Sequence, residues 1–204
     1  MKVIEVFADI WCPFTHVGLR RLVEQRALRG RDDVVLHARA WPLELVNGAP
    51  LAGDFVSTEV HALRKSVAPD LFTGFDAKRF PDSTIPALAL AATAYKHDDR
   101  VGEQVSLELR NALFERGSDI GDPGVLAEIA NALGIEQEGD ESERWVHDEW
   151  HEGKARGVLG SPHFFVDGQG FFCPTLTINH VGDELKVNID LEAFNAFNAF
   201  VFDD

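Results

Sequence analysis

Cysteine is scarce in this chain: 204 residues contain two, Cys12 and Cys173. So few thiols exclude a small secreted scaffold stapled by disulfides. Basic side chains are also short, 19 Lys and Arg against 34 Asp and Glu, for a formal charge of −15. Binding to a phosphate backbone needs clustered Lys and Arg. Adsorption to an anionic membrane surface needs a basic face. Neither nucleic acid nor membrane is therefore an expected partner, and the acidity is read as solubility. No apolar run approaches membrane-spanning length. The opening KVIEVFA at 2–8 enters strand-like sequence at once, without the pattern of a signal peptide. The expected location is the cytoplasm. No repeat of fixed period is visible.

What is present alternates between two periodicities. Val3, Ile4, Val6 and Phe7 form a short β-branched-rich run, suited to a buried strand. Residues 9–12 are a turn. A helix is predicted from Pro13 to about Leu28, with proline in its first turn and Gly30 as its stop. VVLHARAW at 34–41 reads as a second strand, so the chain begins β-α-β. The middle is helical, with segments at 59–66, 86–95, 100–116, 122–134 and 142–157. Asp122, Pro123 and Gly134 supply the cap, first position and stop of the fourth of these. Strands return at 163–166 and 171–173, joined by DGQG, a hairpin signal. Asp190 caps a final helix carrying Leu191, Phe194, Phe197 and Val201. The residues alone give an α/β domain interrupted by a helical insertion.

Cys12 falls where the first strand ends and the first helix begins. Unpaired N–H groups and the helix dipole favour negative charge there. The thiol is expected to ionise more easily than usual and to act as a nucleophile. Trp11 and Phe14 are expected to form an apolar rim for a substrate, and Pro13 is a further substrate-binding candidate. The alternative is an inert buried cysteine, a common fate of free thiols.

Asp9, the run W-C-P-F-T at 11–15 and Gly18 resemble the active-site turn of the DsbA-like branch of the thioredoxin superfamily. The chain is most similar to the group containing FrnE-type oxidoreductases, 2-hydroxychromene-2-carboxylate isomerases and kappa-class glutathione transferases. WPLEL at 41–45 resembles the end of that group's second strand. ALFERGSDIGDPGVLAEIANALGI at 112–135 resembles its helical insertion. GVLGSPHFFVDG at 157–168 is similar to its G-V-x-G-x-P-x-F-x-x-x-G signature. The resemblance implies a thioredoxin fold (β-α-β … β-β-α), with residues 1–48 and 157–204 forming the thioredoxin-like domain and 49–156 a helical insertion. It further implies a cis peptide bond before Pro162, placed beside Cys12, with the Ser161 backbone free to pair with a bound peptide or tripeptide.

The departure from that pattern is Thr15, where dithiol members carry their resolving cysteine. A mixed disulfide on Cys12 then needs a second thiol from solution, such as glutathione or another low-molecular-weight thiol, or from elsewhere in the chain. Thr15 either donates its hydroxyl to the Cys12 sulfur or merely fills the place of an unneeded cysteine. Cys173 is the candidate from elsewhere, predicted to pair near Phe165; the other reading is a buried structural cysteine. His163 either faces substrate or packs. His16 either tunes Cys12 or packs within its helix. Asp9 either accepts the thiol proton or caps the turn. HDEWH at 147–151 has the spacing of a zinc helix but no third ligand, and a solvated face explains it. The acidic stretch 136–143 reads as a solvated loop and helix start, and Asn47 and Pro50 carry no clear motif.

The expected function is thiol-disulfide oxidoreduction with Cys12 as nucleophile, acting on a disulfide-containing protein or a small thiol, with no tightly bound cofactor and no metal. The rivals are a glutathione-dependent isomerase or transferase, and a redox-inactive peptide-binding module. The oligomeric expectation is a monomer or homodimer.

Overall fold

A computed structural model describes residues 1–136, 139–182 and 184–203. Strand β1 (Lys2–Ala8) leads into helix α1 (Pro13–Arg29) and strand β2 (Val34–Ala40). Six helices follow: α2 (Leu43–Asn47), α3 (Gly53–Ser66), α4 (Ile85–His97), α5 (Asp99–Arg116), α6 (Pro123–Leu133) and α7 (Gly139–Ala155). Strands β3 (His163–Val166) and β4 (Gln169–Phe172) precede a second hairpin, β5 (Leu176–Val181) and β6 (Glu184–Ile189), and helix α8 (Leu191–Phe202). The main sheet has the order β2-β1-β3-β4, with β1 and β2 parallel and the other pairs antiparallel. This is the mixed α/β arrangement of a thioredoxin fold.

Local chemistry explains the boundaries. Cys12 is the N-cap of α1, with Pro13 at its first position and Gly30 ending it at φ 62°. Left-handed backbone costs glycine little and other residues more. Asp122 accepts the Gly124 and Val125 amides to start α6. One sheet face buries Ile4, Val6, Phe164 and Val166 against Leu19 and Leu22 of α1 and Phe197 and Val201 of α8. The other carries Phe7, Trp41 and Val158, and α7 closes over it. Gly153 lets that helix approach, since a Cβ there would stand 2.7 Å from the Trp41 ring and 2.9 Å from Phe7. The largest core joins Ile10, Trp11, Cys12 and Ala40 of the sheet unit to apolar residues of the inserted helices.

The insertion also covers a sheet edge. β2 is an outer strand, so alternate amides on its free side need partners. The Leu36 amide donates to Glu103 of α5 at 2.7 Å, Ala38 to the Tyr95 hydroxyl of α4 at 2.9 Å, and Ala40 to Glu149 of α7 at 2.7 Å. Glu103 is held in turn by Arg26 through both guanidinium nitrogens.

The structure departs from the sequence expectations in several places. α3 starts at Gly53, six residues ahead of the expected segment, and α7 starts at Gly139. In the acidic stretch 136–143, Gln137 and Glu138 lie outside the described residues. The first hairpin turns at Asp167 and Gly168, so His163 pairs with Phe172 and Phe165 with Gly170. Cys173 therefore lies beyond β4, opposite Pro162 rather than Phe165. The β5–β6 hairpin was not expected. Leu176 and Val187 are its buried anchors, and β6 packs on α3.

Candidate active site

The β1–α1 turn and the segment before β3 are fastened to one another at Ser161. The Ser161–Pro162 peptide bond is cis. The Cys12 thiol donates to the Ser161 carbonyl at 3.1 Å. The Asp9 amide donates to the Ser161 hydroxyl at 2.9 Å, and that hydroxyl lies 2.8 Å from the hydroxyl of Thr15. Residues some 150 positions apart thus converge within one hydrogen-bonded cluster. The Thr15 hydroxyl helps to hold the proline segment. The Ser161 carbonyl, expected to stay open for a substrate backbone, is taken by the thiol.

The electrostatics overturn one expectation. Cys12 is 4% exposed, and burial pushes its thiol above the ordinary thiol range. The hydroxyl and amide of Thr15 and the hydroxyl of Ser161 act in the opposite sense, while the charge of Glu59 adds to the rise. Position at a helix start favours the thiolate. Removal from water opposes it, and here removal from water wins. The resting sulfur is a protonated hydrogen-bond donor.

The apolar neighbours are likewise more buried than expected. Trp11 is inaccessible and stacks on Phe80 with ring centroids 5.7 Å apart. Pro13 and Phe14 are buried as well. Trp11 and Phe14 belong to the core cluster beneath the turn and form no exposed rim. His163 points away from the sulfur side: it accepts the Leu159 amide at 3.0 Å through Nδ1 and stacks on Phe165 at 4.8 Å. Strand alternation places it with Phe165 on the face of Phe7. His16 is buried between Phe72 and Phe114 and donates through Nε2 to Glu115 at 2.8 Å. Burial keeps its imidazole neutral.

Asp9 is wholly buried. It accepts the Trp11 amide at 3.1 Å and, through its other oxygen, the Leu43 amide. Its side chain caps the turn. Burial raises its pKa to about 6, against the hydrogen bonds from Leu43, Trp11 and Thr84 and the charge of Arg110.

Three charged residues of the insertion reach this region without any signal in the sequence. Arg110 of α5 is 1% exposed and donates to the Ser106 carbonyl and hydroxyl and, at 3.4 Å, to the Asp9 carbonyl. Its charge faces Asp9 and Cys12. Glu115 binds His16 and the amides of Phe72 and Thr73. Burial would raise its pKa, but those bonds outweigh it and bring it to about 2. Glu59 of α3 is half-buried, and burial alone raises its carboxyl to about 7. Arg110 and Glu115 lie on α5 and Glu59 on α3, and the sequence beside them marks only helix, not a role for these side chains. Among the described residues, no group of three His, Cys, Asp or Glu side chains is placed to hold a metal ion. His147 and His151 share a helix face, while Glu149 beside them serves the β2 edge.

Cys173 follows β4 and lies opposite the proline. Its amide donates to the Pro162 carbonyl at 3.0 Å. Its backbone is left-handed, φ 43°. Both cysteines are free.

Solved structures share this fold. A 2-hydroxychromene-2-carboxylate isomerase superposes with a TM-score of 0.59 at 13% identity, over 83% of this chain and 88% of that one. The cytosolic disulfide reductase DsbM from Pseudomonas aeruginosa with GSH gives 0.59 at 17% identity, over 83% and 88%. A second structure of the cytosolic disulfide reductase DsbM from Pseudomonas aeruginosa gives 0.57 at 16%, over 97% and 96%. No curated protein matches the chain by sequence. Among the described residues no helix is long and apolar enough to cross a membrane. The model of the DSBA-like thioredoxin domain matches residues 3–186, and with 184 of 204 residues inside that match, the chain belongs to the DSBA-like thioredoxin domain family.

Proposed function

We propose that this protein catalyses thiol-disulfide exchange through Cys12, with glutathione or another small thiol as cosubstrate, in the cytoplasm. The observation that carries the reading is the Cys12 sulfur at the start of α1, 3.1 Å from the carbonyl that precedes cis-Pro162. The glutathione-bound form of DsbM, similar in fold, supports the choice of cosubstrate. Cys12 is the nucleophile, and Thr15 and Ser161 stabilise its anion. Pro162 and Ser161 present backbone to the substrate. The S–H donation to Ser161 disappears once Cys12 becomes a thiolate or enters a disulfide. The carbonyl is then released to accept an N–H from a bound substrate. Because burial holds the thiol protonated, turnover rises with pH well past neutrality.

A second reading has its own support. A protonated Cys12 beside the Thr15 hydroxyl is a donor pair suited to holding the sulfur anion of bound glutathione, as in a glutathione-dependent isomerase or transferase. Cys12→Ser separates the two. Glutathione-dependent reduction of a mixed disulfide falls to background in this variant under the exchange reading. Conjugation or isomerisation that survives it, with no exchange in the wild type, overturns that reading in favour of the second.

A further inference from the structure

The two cysteines are 161 positions apart, yet both are bound to one dipeptide. Cys12 donates its thiol to the carbonyl of Ser161, and Cys173 donates its amide to the carbonyl of Pro162, the next residue. Cys173 packs on the same core cluster that contains Cys12. Burial first, and the charge of Cys12 second, push its own thiol up to about 12, with the Leu176 amide opposing. The two cysteines are thus anchored to the adjacent carbonyls of one dipeptide. Two residues on, Thr175 crosses α1, where a Cβ on Gly18 would stand 3.6 Å from the Thr175 hydroxyl. The segment leaving β4 thus passes from the proline to the helix that Cys12 begins.

Cys173 also holds a backbone that its residue type disfavours. A positive φ is uncommon outside glycine. Such outliers persist where the surroundings over-determine them, and they cluster at functional positions. A glycine there would relieve the backbone, yet the chain carries its second thiol instead.

We propose that Cys173 is the resolving thiol of this protein, attacking the mixed disulfide that Cys12 forms with a small-molecule disulfide such as oxidised glutathione. The proposal rests on the exchange reading above. In the first step the Cys12 thiolate attacks oxidised glutathione. The glutathione S–S bond breaks, a Cys12–glutathione disulfide forms, and one glutathione thiolate leaves with the proton that Cys12 gave up. In the second step the Cys173 thiolate attacks the Cys12 sulfur. A Cys12–Cys173 bond forms, and the second glutathione leaves and takes the Cys173 proton. Both cysteines are oxidised, and one oxidised glutathione becomes two reduced ones. A disulfide needs its Cα atoms within about 7 Å, and residues 173–175, between two strands, are the part of the chain that supplies the movement. Thr15 has no thiol, so the C-x-x-C route is closed to this protein.

The experiment is reaction of the full chain with oxidised glutathione, acid quench and intact mass, followed by tryptic mapping without reductant. Wild type is expected to become lighter by two hydrogens and to yield peptide 3–20 linked to peptide 157–186. Cys173→Ser is expected to stop at one glutathione on Cys12. A wild type that accumulates glutathione on Cys12 and forms no internal link overturns the resolving role while leaving exchange at Cys12 intact. Cys12 inert in wild type and Cys173→Ser alike, while the same proteins unfolded in denaturant react, overturns the exchange reading and this inference with it.

Discussion

The outer edge of β2 and the β1–α1 turn both lie under the inserted helices, and both bury polar groups. At the edge the strand's backbone amides are matched. Three alternate amides meet Glu103, Tyr95 and Glu149, and Glu103 meets Arg26. At the turn several side-chain polar atoms are not. Trp11 Nε1, His16 Nδ1, Arg110 Nε and Thr175 Oγ1 are buried without a protein partner among the described residues. Glu59 raises the Cys12 pKa there and gains nothing that lowers its own. Buried polar groups are matched as a rule, and exceptions call for a reason. The edge is built for rigidity, whereas the turn retains unmatched polar atoms and perturbed thiols of the kind found where a ligand completes a site.

The strongest way to break this contrast is at the edge. Glu103→Ala strands the buried Leu36 amide and leaves the half-buried Arg26 guanidinium with only the Val34 carbonyl. Losing one partner of a fully buried pair costs about 3–5 kcal/mol, and with Arg26 half-buried the cost falls toward the lower end of that range, about 3 kcal/mol. Chemical denaturation is expected to show a loss of that size, with exchange activity per folded molecule unchanged. An activity loss without a stability loss would place Glu103 with the turn instead.

A smaller effect comes from Glu115, which joins His16 to the 72–73 backbone. Its folded pKa is depressed from 4.5 to about 2. The stability it contributes is thus fully present above pH 4.5 and is lost as pH falls through about 2. Glu115→Gln is expected to cost about 2–3 kcal/mol near neutrality. The gap between variant and wild type narrows between those two pH values. A gap that stays constant from neutral to acid would assign the loss to packing rather than to the carboxylate.

The smallest effect sharpens the comparison at the turn itself. Glu59 places a like charge near the sulfur. Glu59→Gln removes it and lowers the Cys12 pKa, so alkylation at mildly alkaline pH speeds up by up to about tenfold, one pKa unit. Stability rises slightly above pH 7, where the wild-type carboxylate is ionised at a cost. Unchanged alkylation would mean that Glu59 does not face the thiol in solution.

The sequence carried those parts of the fold that depend on neighbours in the chain. β1, α1 with Pro13 and Gly30, and α6 with Asp122 and Gly134 announce themselves through periodicity and caps. Cys12 and Pro162 were legible through a motif at each end of the chain. Other features depend on distant partners. Glu103 and Leu36 are 67 positions apart and Glu149 and Ala40 109, and nothing local distinguishes those glutamates from solvated ones. Arg110 and Glu59 were invisible for the same reason. The register of the β3–β4 hairpin was misplaced because DGQG allows its turn at more than one position, and that error moved Cys173 from Pro162 to Phe165. The acidity of Cys12 was misjudged because a helix terminus is visible in a sequence and the burial that overrides it is not.

The central claim is that Cys12 is a nucleophile held protonated by burial against the cis-proline segment. The rate of iodoacetamide alkylation of Cys173→Ser, which leaves one thiol, measures this directly across pH. The account predicts a single titration with its midpoint above the ordinary thiol range and full labelling at the alkaline limit. A midpoint at or below neutrality, or a thiol that stays unlabelled until the protein unfolds, would contradict it.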